Sequence, residues 1–182
     1  DFGVYQTDAL LKMLSVLDND ISVDLVKAEE KAISIDAKDS GAKVRYMLSD
    51  LSVINTPPQL KQIPEFELLL NVDKTFVSKF ISGKGALPDT ESFTIVSGDK
   101  PEVVIGYSSI ATNRVAVPVE NQTDNTIDNI SFNANLFKDV LEANKECESA
   151  VLEVSSEGLA RITFNINDYE STYYLVAVQN VN

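Results

Sequence analysis

The chain contains no histidine among its 182 residues. That absence removes His-based triads, imidazole acid–base chemistry and His metal ligands together. The single cysteine, Cys147, cannot close an internal disulfide. Neither a secretion leader nor an apolar run of about 18 residues stands out. These features point to a reducing, cytoplasmic compartment without a membrane partner. Basic residues are also scarce: 15 Lys and Arg face 28 Asp and Glu, for a formal net charge of -13. Such a charge repels nucleic acid at long range unless the cations gather on one surface. What is present is a 44% hydrophobic content, enough for a sizeable core in one large or two small domains.

The apolar residues repeat in a layout as well as a period. Residues 129–178 read as one strand, one amphipathic helix and a meander of three strands, and residues 1–50 and 65–120 follow the same order. In the first copy a short strand over Asp1–Tyr5 precedes a helix from an N-cap at Thr7 to Leu17, with Leu10, Leu11, Met13, Leu14 and Leu17 on a buried face. Strands are predicted at 22–27, 32–37 and 43–48, with Asp39-Ser40-Gly41 as the last turn. In the second copy a strand at 65–71 leads into a helix near 72–82 whose apolar side is Val72, Phe76, Val77, Phe80 and Ile81. A loop over 82–90 and strands at 92–97, 102–107 and 114–119 complete it. The third copy turns Leu136, Phe137, Val140, Leu141 and Ala143 inward and has strands at 150–155, 159–166 and 171–178. Residues 51–64, LSVINTPPQLKQIP, hold three prolines with no helical or strand period, and so read as an extended connector.

Candidates for bond chemistry are weak. Asp18 with Asp20, Glu29 with Glu30, and Asp168 with Glu170 sit in turns or strand ends, without a second cluster at metal-ligand spacing. Gly83-Lys84-Gly85 is only a fragment of a phosphate loop. Cys147 reads as an inert small side chain. The residues therefore describe an α+β protein of repeated helix-on-sheet units that needs no cofactor. One function open to such a chain is a non-enzymatic viral structural or protein-interaction module.

DFGVYQTDALLKMLSVL opening one repeat, the proline-bearing LSVINTPPQ, and SSEGLARITF leading into STYYLVAV at the close carry a further signal. With them, essentially the whole chain resembles a DNA sliding clamp, the polymerase processivity factor, and in particular the clamps of T4-like bacteriophages. The resemblance implies antiparallel sheets outside and helices on one inner face of a head-to-tail ring. It also implies duplex DNA bound without regard to sequence, a DNA polymerase and a clamp loader as partners, and three subunits. A clamp domain has two such repeats, so residues 1–50 would be the second half of an N-terminal domain whose first half is absent. Residues 51–64 would be the interdomain connector and 65–182 a complete domain. The unmated half is expected to show an open sheet edge, reduced stability and self-association or swapping.

Under that resemblance the candidate DNA-facing residues are Lys12, Lys74, Lys79, Lys84, Lys138 and Lys145, with Thr75, Ser78 and Ser82 as hydrogen-bonding neighbours. The helix windows 7–17, 72–84 and 135–145 carry a net charge of +2 and the remainder of the chain -15. The ordinary alternative is that lysines on polar helix faces serve solubility. Val53, Ile54, Pro57, Leu60 and Ile63, with Val178 and Val181, match a groove for the peptide tails of polymerase and other factors; otherwise they pin the connector to its own domains. Ring closure is expected through an edge within 42–50 on one side and a strand within 102–119 on the other.

Overall fold

The structure, a computed structural model, describes residues 1–55, 62–108, 110 and 112–178. The chain divides into two compact units, Asp1–Lys61 and Gln62–Asn182.

Unit 1 contains helix α1 (Thr7–Leu14) and strands β1 (Ser22–Ala28), β2 (Lys31–Lys38) and β3 (Lys43–Met47). The strands form an antiparallel sheet in the order β1-β2-β3. The turn between β2 and β3 forms because the Asp39 carboxylate accepts backbone N–H groups from Gly41 at 2.8 Å and Ala42 at 2.6 Å. It also accepts from Asp18 at 2.8 Å, which ties the α1–β1 loop to that turn. The start of α1 is held by Tyr46 on β3, whose hydroxyl donates to the Gln6 carbonyl at 3.1 Å.

Four expectations for this unit change. The N-cap is Gln6 rather than Thr7, and it makes no side-chain capping bond. The helix stops at Leu14, and the Ser15 hydroxyl folds back onto the Lys12 carbonyl at 2.8 Å. Finally, no residue of α1 is buried: Leu11 is 64% exposed, and only Leu17, beyond the helix, is enclosed. An apolar stripe is buried only if something packs on it. The expected strand over Asp1–Tyr5 is reduced to an isolated antiparallel bridge between Gly3 and Ser49. A short 3-10 turn, Leu51–Val53, follows, capped by the Asp50 carboxylate on the Ser52 N–H.

Unit 2 runs β4 (Leu68–Asp73), α2 (Lys74–Ala86), β5 (Ser92–Val96), β6 (Glu102–Ile105), β7 (Val115–Pro118), β8 (Ile130–Asn133), α3 (Ala134–Ala143), β9 (Ser149–Val154), β10 (Leu159–Ile166) and β11 (Tyr169–Val176). Two four-stranded antiparallel sheets result, ordered β11-β10-β9-β4 and β7-β6-β5-β8. The first strand of each repeat has crossed into the other's sheet: β4 pairs with β9, and β8 with β5. The exchange lets one continuous core form beneath α2 and α3. Leu68, Leu70 and Val72 of β4 enter it beside Leu152 and Val154 of β9, with Phe93, Ile95 and Phe132 from the other sheet.

Both helices of this unit begin at the end of an exchanged strand, where the side chain of the last strand residue is the cap. Asp73 accepts the Phe76 N–H at 2.7 Å, and Asn133 accepts the Leu136 N–H at 2.9 Å. Val72 therefore belongs to β4 and not to the helix. At the other end α2 continues through Gly83-Lys84-Gly85, a stretch whose composition reads as loop. Gly83 is required there because α2 lies hard against β7: a Cβ on it would fall 2.8 Å from Cγ1 of Val115. Burial against the sheet outweighs the low helix propensity of glycine.

Candidate nucleic-acid and peptide interfaces

Helices α2 and α3 pack side by side through aromatic rings. Phe80 meets Phe137 edge to face with centroids 5.0 Å apart, and Phe93 from β5 lies within 5.3 Å of the first and 4.8 Å of the second. Phe76, Phe80, Phe137 and Leu141 consequently point into the core, and the opposite faces of both helices meet solvent. Lys74, Thr75, Ser78, Lys79 and Ser82 are exposed on α2, which contains no acidic residue. The exposed side of α3 is mixed, with Lys138 flanked by Asp139 and Glu142. Leu136 and Ala143, expected to face inward, are exposed instead, Leu136 by 57%. Leu136 stands one residue before the core-facing Phe137, about 100° round the helix, and that step carries it out of the core.

The predicted lysines separate into three groups. Lys84 is not on this surface: it is 4% exposed, and its ammonium donates to the carbonyls of Pro88 at 2.8 Å and Leu87 at 3.5 Å. Lys84 stands in the last turn of α2, and its ammonium ties the helix to the loop that follows it. Two more are paired: Lys74 with Glu148, and Lys138 with Glu142 at 2.9 Å. Both pairs are partly open to water, where such contacts are weak and exchange readily for another anion. Lys12, Lys79 and Lys145 are exposed and make no ion pair among the described residues. Lys145 lies in the turn after α3 rather than on the helix. Lys12 belongs to unit 1, and the other five lysines to unit 2.

Lys79 also borders a groove of about 550 Å³ between the start of α2 and β7, lined by Thr75, Phe76, Val115, Val117 and Val119. Nothing in the sequence singled it out, because it depends on β7 being the last strand of its sheet.

The residues matched to a peptide groove divide between the units. In unit 1, Val53 is exposed and Ile54 half-buried, its side chain lying over Gly3, where a Cβ would come within 2.9 Å of it. Ile54 thus pins the connector to its own unit. In unit 2, Ile63 is exposed, and the Val178 N–H donates to the Ser131 carbonyl at 2.8 Å, holding the C-terminal segment against β8. Pro57, Leu60 and Val181 lie outside the described residues.

The acidic residues considered for catalysis lie in turns and loops or, for Glu170, at the start of β11. Asp20 and Glu29 adopt the left-handed backbone conformation, φ 57° and 55°, and among the described residues no group of three or more Cys, Asp and Glu is arranged to hold a metal. Cys147 is buried, its thiol donating to the Ser149 carbonyl at 3.1 Å. No described helix is long and apolar enough to cross a membrane.

No protein-family model and no curated protein sequence matches the chain. Solved structures do: the chain is similar to the crystal structure of Proliferating Cellular Nuclear Antigen from Entamoeba histolytica, with a TM-score of 0.71 at 14% sequence identity, over 94% of this chain and 70% of that one. The likeness is one of fold, and the fold is that of a sliding clamp.

Proposed function

We propose that this protein is a DNA sliding clamp, a processivity factor that surrounds duplex DNA as a ring and tethers DNA polymerase and other replication proteins to it. The observation that carries the proposal is the acid-free outer face of α2 within the paired-helix layer of a clamp fold, on a chain whose net charge is -13. A protein that is acidic overall keeps DNA off its exterior, and weak cationic contacts on one wall hold the backbone without regard to sequence. Lys79 and Lys145 meet phosphates directly in this reading; Lys74 and Lys138 do so by exchanging Glu148 and Glu142 for phosphate. Lys12 adds the contribution of unit 1.

The ring closes head to tail, with β3 of one copy beside β7 of the next, a heterologous contact that can repeat until the circle is complete. The sequence resemblance to T4-like phage clamps implies three subunits. A clamp loader opens the ring. Peptide tails of polymerase dock beside the connector, with the exposed Ile63 of unit 2 among the apolar contacts. The protein itself makes and breaks no bonds.

Primer extension on a singly primed circular template, with the cognate polymerase and loader, tests this directly. Long products that depend on the protein are expected. If product length is the same with and without it, the clamp role is wrong and the fold serves a structural or interaction module instead.

A further inference from the structure

We propose that two carboxylates of unit 2, Glu148 and Glu142, act as release groups for DNA: each takes a lysine back from a phosphate as the duplex moves past. This role rests on the reading of α2 and α3 as the DNA wall. It adds to that reading the feature that sets how freely the duplex moves along the wall.

The wall holds two kinds of lysine. Lys79 and Lys145 make no ion pair among the described residues, whereas Lys74 and Lys138 each hold one. Backbone geometry, rather than the reach of a long side chain, sets both pairs. Asp73 of β4 is registered with Ser149 of β9, so the next residues outward, Lys74 and Glu148, face each other at the start of α2. Lys138 and Glu142 stand four residues apart on α3, one turn along the same face.

Both pairs yield easily. Glu148 is 83% exposed and Glu142 45%, so water and salt reach them. Lys74 opens α2, the end of a helix whose partial positive charge disfavours a cation. Lys138 precedes its acid along α3, the less favourable order for a pair four apart. A phosphate therefore displaces either carboxylate at little cost. The displaced carboxylate stays hydrated and in place, held by the ladder or by the helix turn, and recaptures the ammonium when the phosphate leaves.

Movement along the duplex obliges every phosphate contact to break, since the phosphates of one strand follow at about 3.4 Å along the axis. A lysine without another partner passes through an unpaired state at each step. A lysine with a carboxylate at hand passes through an ion pair instead, which stabilises the intermediate and speeds the step. The same pair weakens phosphate binding, by roughly 1.5- to 5-fold for an exposed contact. Lys79 and Lys145 thus attract the backbone, and Lys74 and Lys138 attract it and let go quickly.

The other repeat supplies a control in the same register. Asn133 is registered with Ser92, and the next residues outward are Ala134 and Glu91, joined by the Ala134 N–H donating to the Glu91 carbonyl at 2.8 Å. Glu91 stands where Glu148 stands and is exposed, but it faces an alanine and makes no ion pair among the described residues. Removing its charge alters the net charge as much as removing that of Glu148, without freeing a lysine.

One-dimensional diffusion of the fluorescently labelled whole chain on stretched duplex DNA, loaded by its cognate loader, tests the role. Glu148→Gln should slow diffusion at low salt by roughly 1.5- to 5-fold, and its combination with Glu142→Gln by about 2- to 25-fold. Affinity for a short duplex should rise in parallel, and both effects should fade as salt screens the exposed pairs. Glu91→Gln should leave diffusion as in the wild type. Unchanged or faster diffusion in the double variant overturns the release role while the DNA wall stands. Equal slowing by Glu91→Gln also overturns it, because net charge would then be the cause. A wild-type chain without salt-dependent association with DNA overturns the wall reading itself, and the release role with it.

Discussion

The ammonium of Lys84 donates to the carbonyl of Pro88 at 2.8 Å, closing the C-terminal end of α2 from inside the protein. Replacing Lys84 by Ala removes that donor and the packing of a side chain that is 4% exposed, which costs about 1–3 kcal/mol. Chemical denaturation should record that loss, while the salt dependence of DNA binding should stay as in the wild type. A reduced salt slope with unchanged stability would return Lys84 to the DNA-facing set.

Lys79 should behave in the opposite way. It is exposed on an acid-free helix face, so Lys79→Ala leaves stability within about 0.5 kcal/mol. It should also lower the slope of log K against log salt by about 0.9, the contribution of one neutralised phosphate. A DNA-binding titration across salt concentrations measures both slope and affinity. Glu148→Gln should raise affinity at low salt by releasing Lys74, and this gain should vanish as salt rises.

Much of this was legible in the sequence, for physical reasons that also mark where reading stops. The β10 and β11 strands announce themselves by alternation, since each side of a sheet meets a different medium. Repetition of strand, helix and three strands exposes the architecture, but not that β4 and β8 change places, because a strand pattern carries no information about its partner. The glycines flanking Lys84 read as loop, since local propensity cannot anticipate the close approach of Val115 to Gly83. The same error put Lys84 on the surface. The stripe Leu10, Met13 and Leu14 correctly marks one side of α1 as apolar; its exposure could not be foreseen from periodicity, which reports what a face suits and not what covers it. The caps Asp73 and Asn133 were readable, each immediately before a helix, and were hidden by placing the helix starts a residue or two away.

The contact between Phe80 and Phe137 is the joint between the two repeats of unit 2, and both rings are wholly buried. Phe80→Ala should cost about 3–5 kcal/mol, from lost burial and the cavity left among three neighbouring rings. Phe80→Leu should cost less, because it retains most of the volume. Thermal unfolding measures both. A change below about 1 kcal/mol for the alanine variant would mean that α2 and α3 are not held together by this cluster.

Acid should loosen the entry to the same unit at Glu67. Its carboxylate accepts hydrogen bonds from the Ser156 hydroxyl and, at 3.0 Å, from the Ser156 N–H, joining the start of β4 to the β9–β10 turn. The Ser156 hydroxyl is the main cause that holds the Glu67 carboxyl below its ordinary value, against a smaller opposing effect of burial. A carboxyl depressed in the folded state binds protons more readily when unfolded. Its stabilisation is thus complete above the unfolded value of about 4.3, and is lost as pH falls through the lower folded value. Glu67→Gln should therefore cost stability by a constant amount above about pH 4.3, and the gap to wild type should close as pH falls below it, which flattens the acid limb. Denaturant midpoints taken every half unit from pH 7 downward would resolve the two limbs. Parallel curves for variant and wild type across that range would show that Glu67 does not carry the linkage.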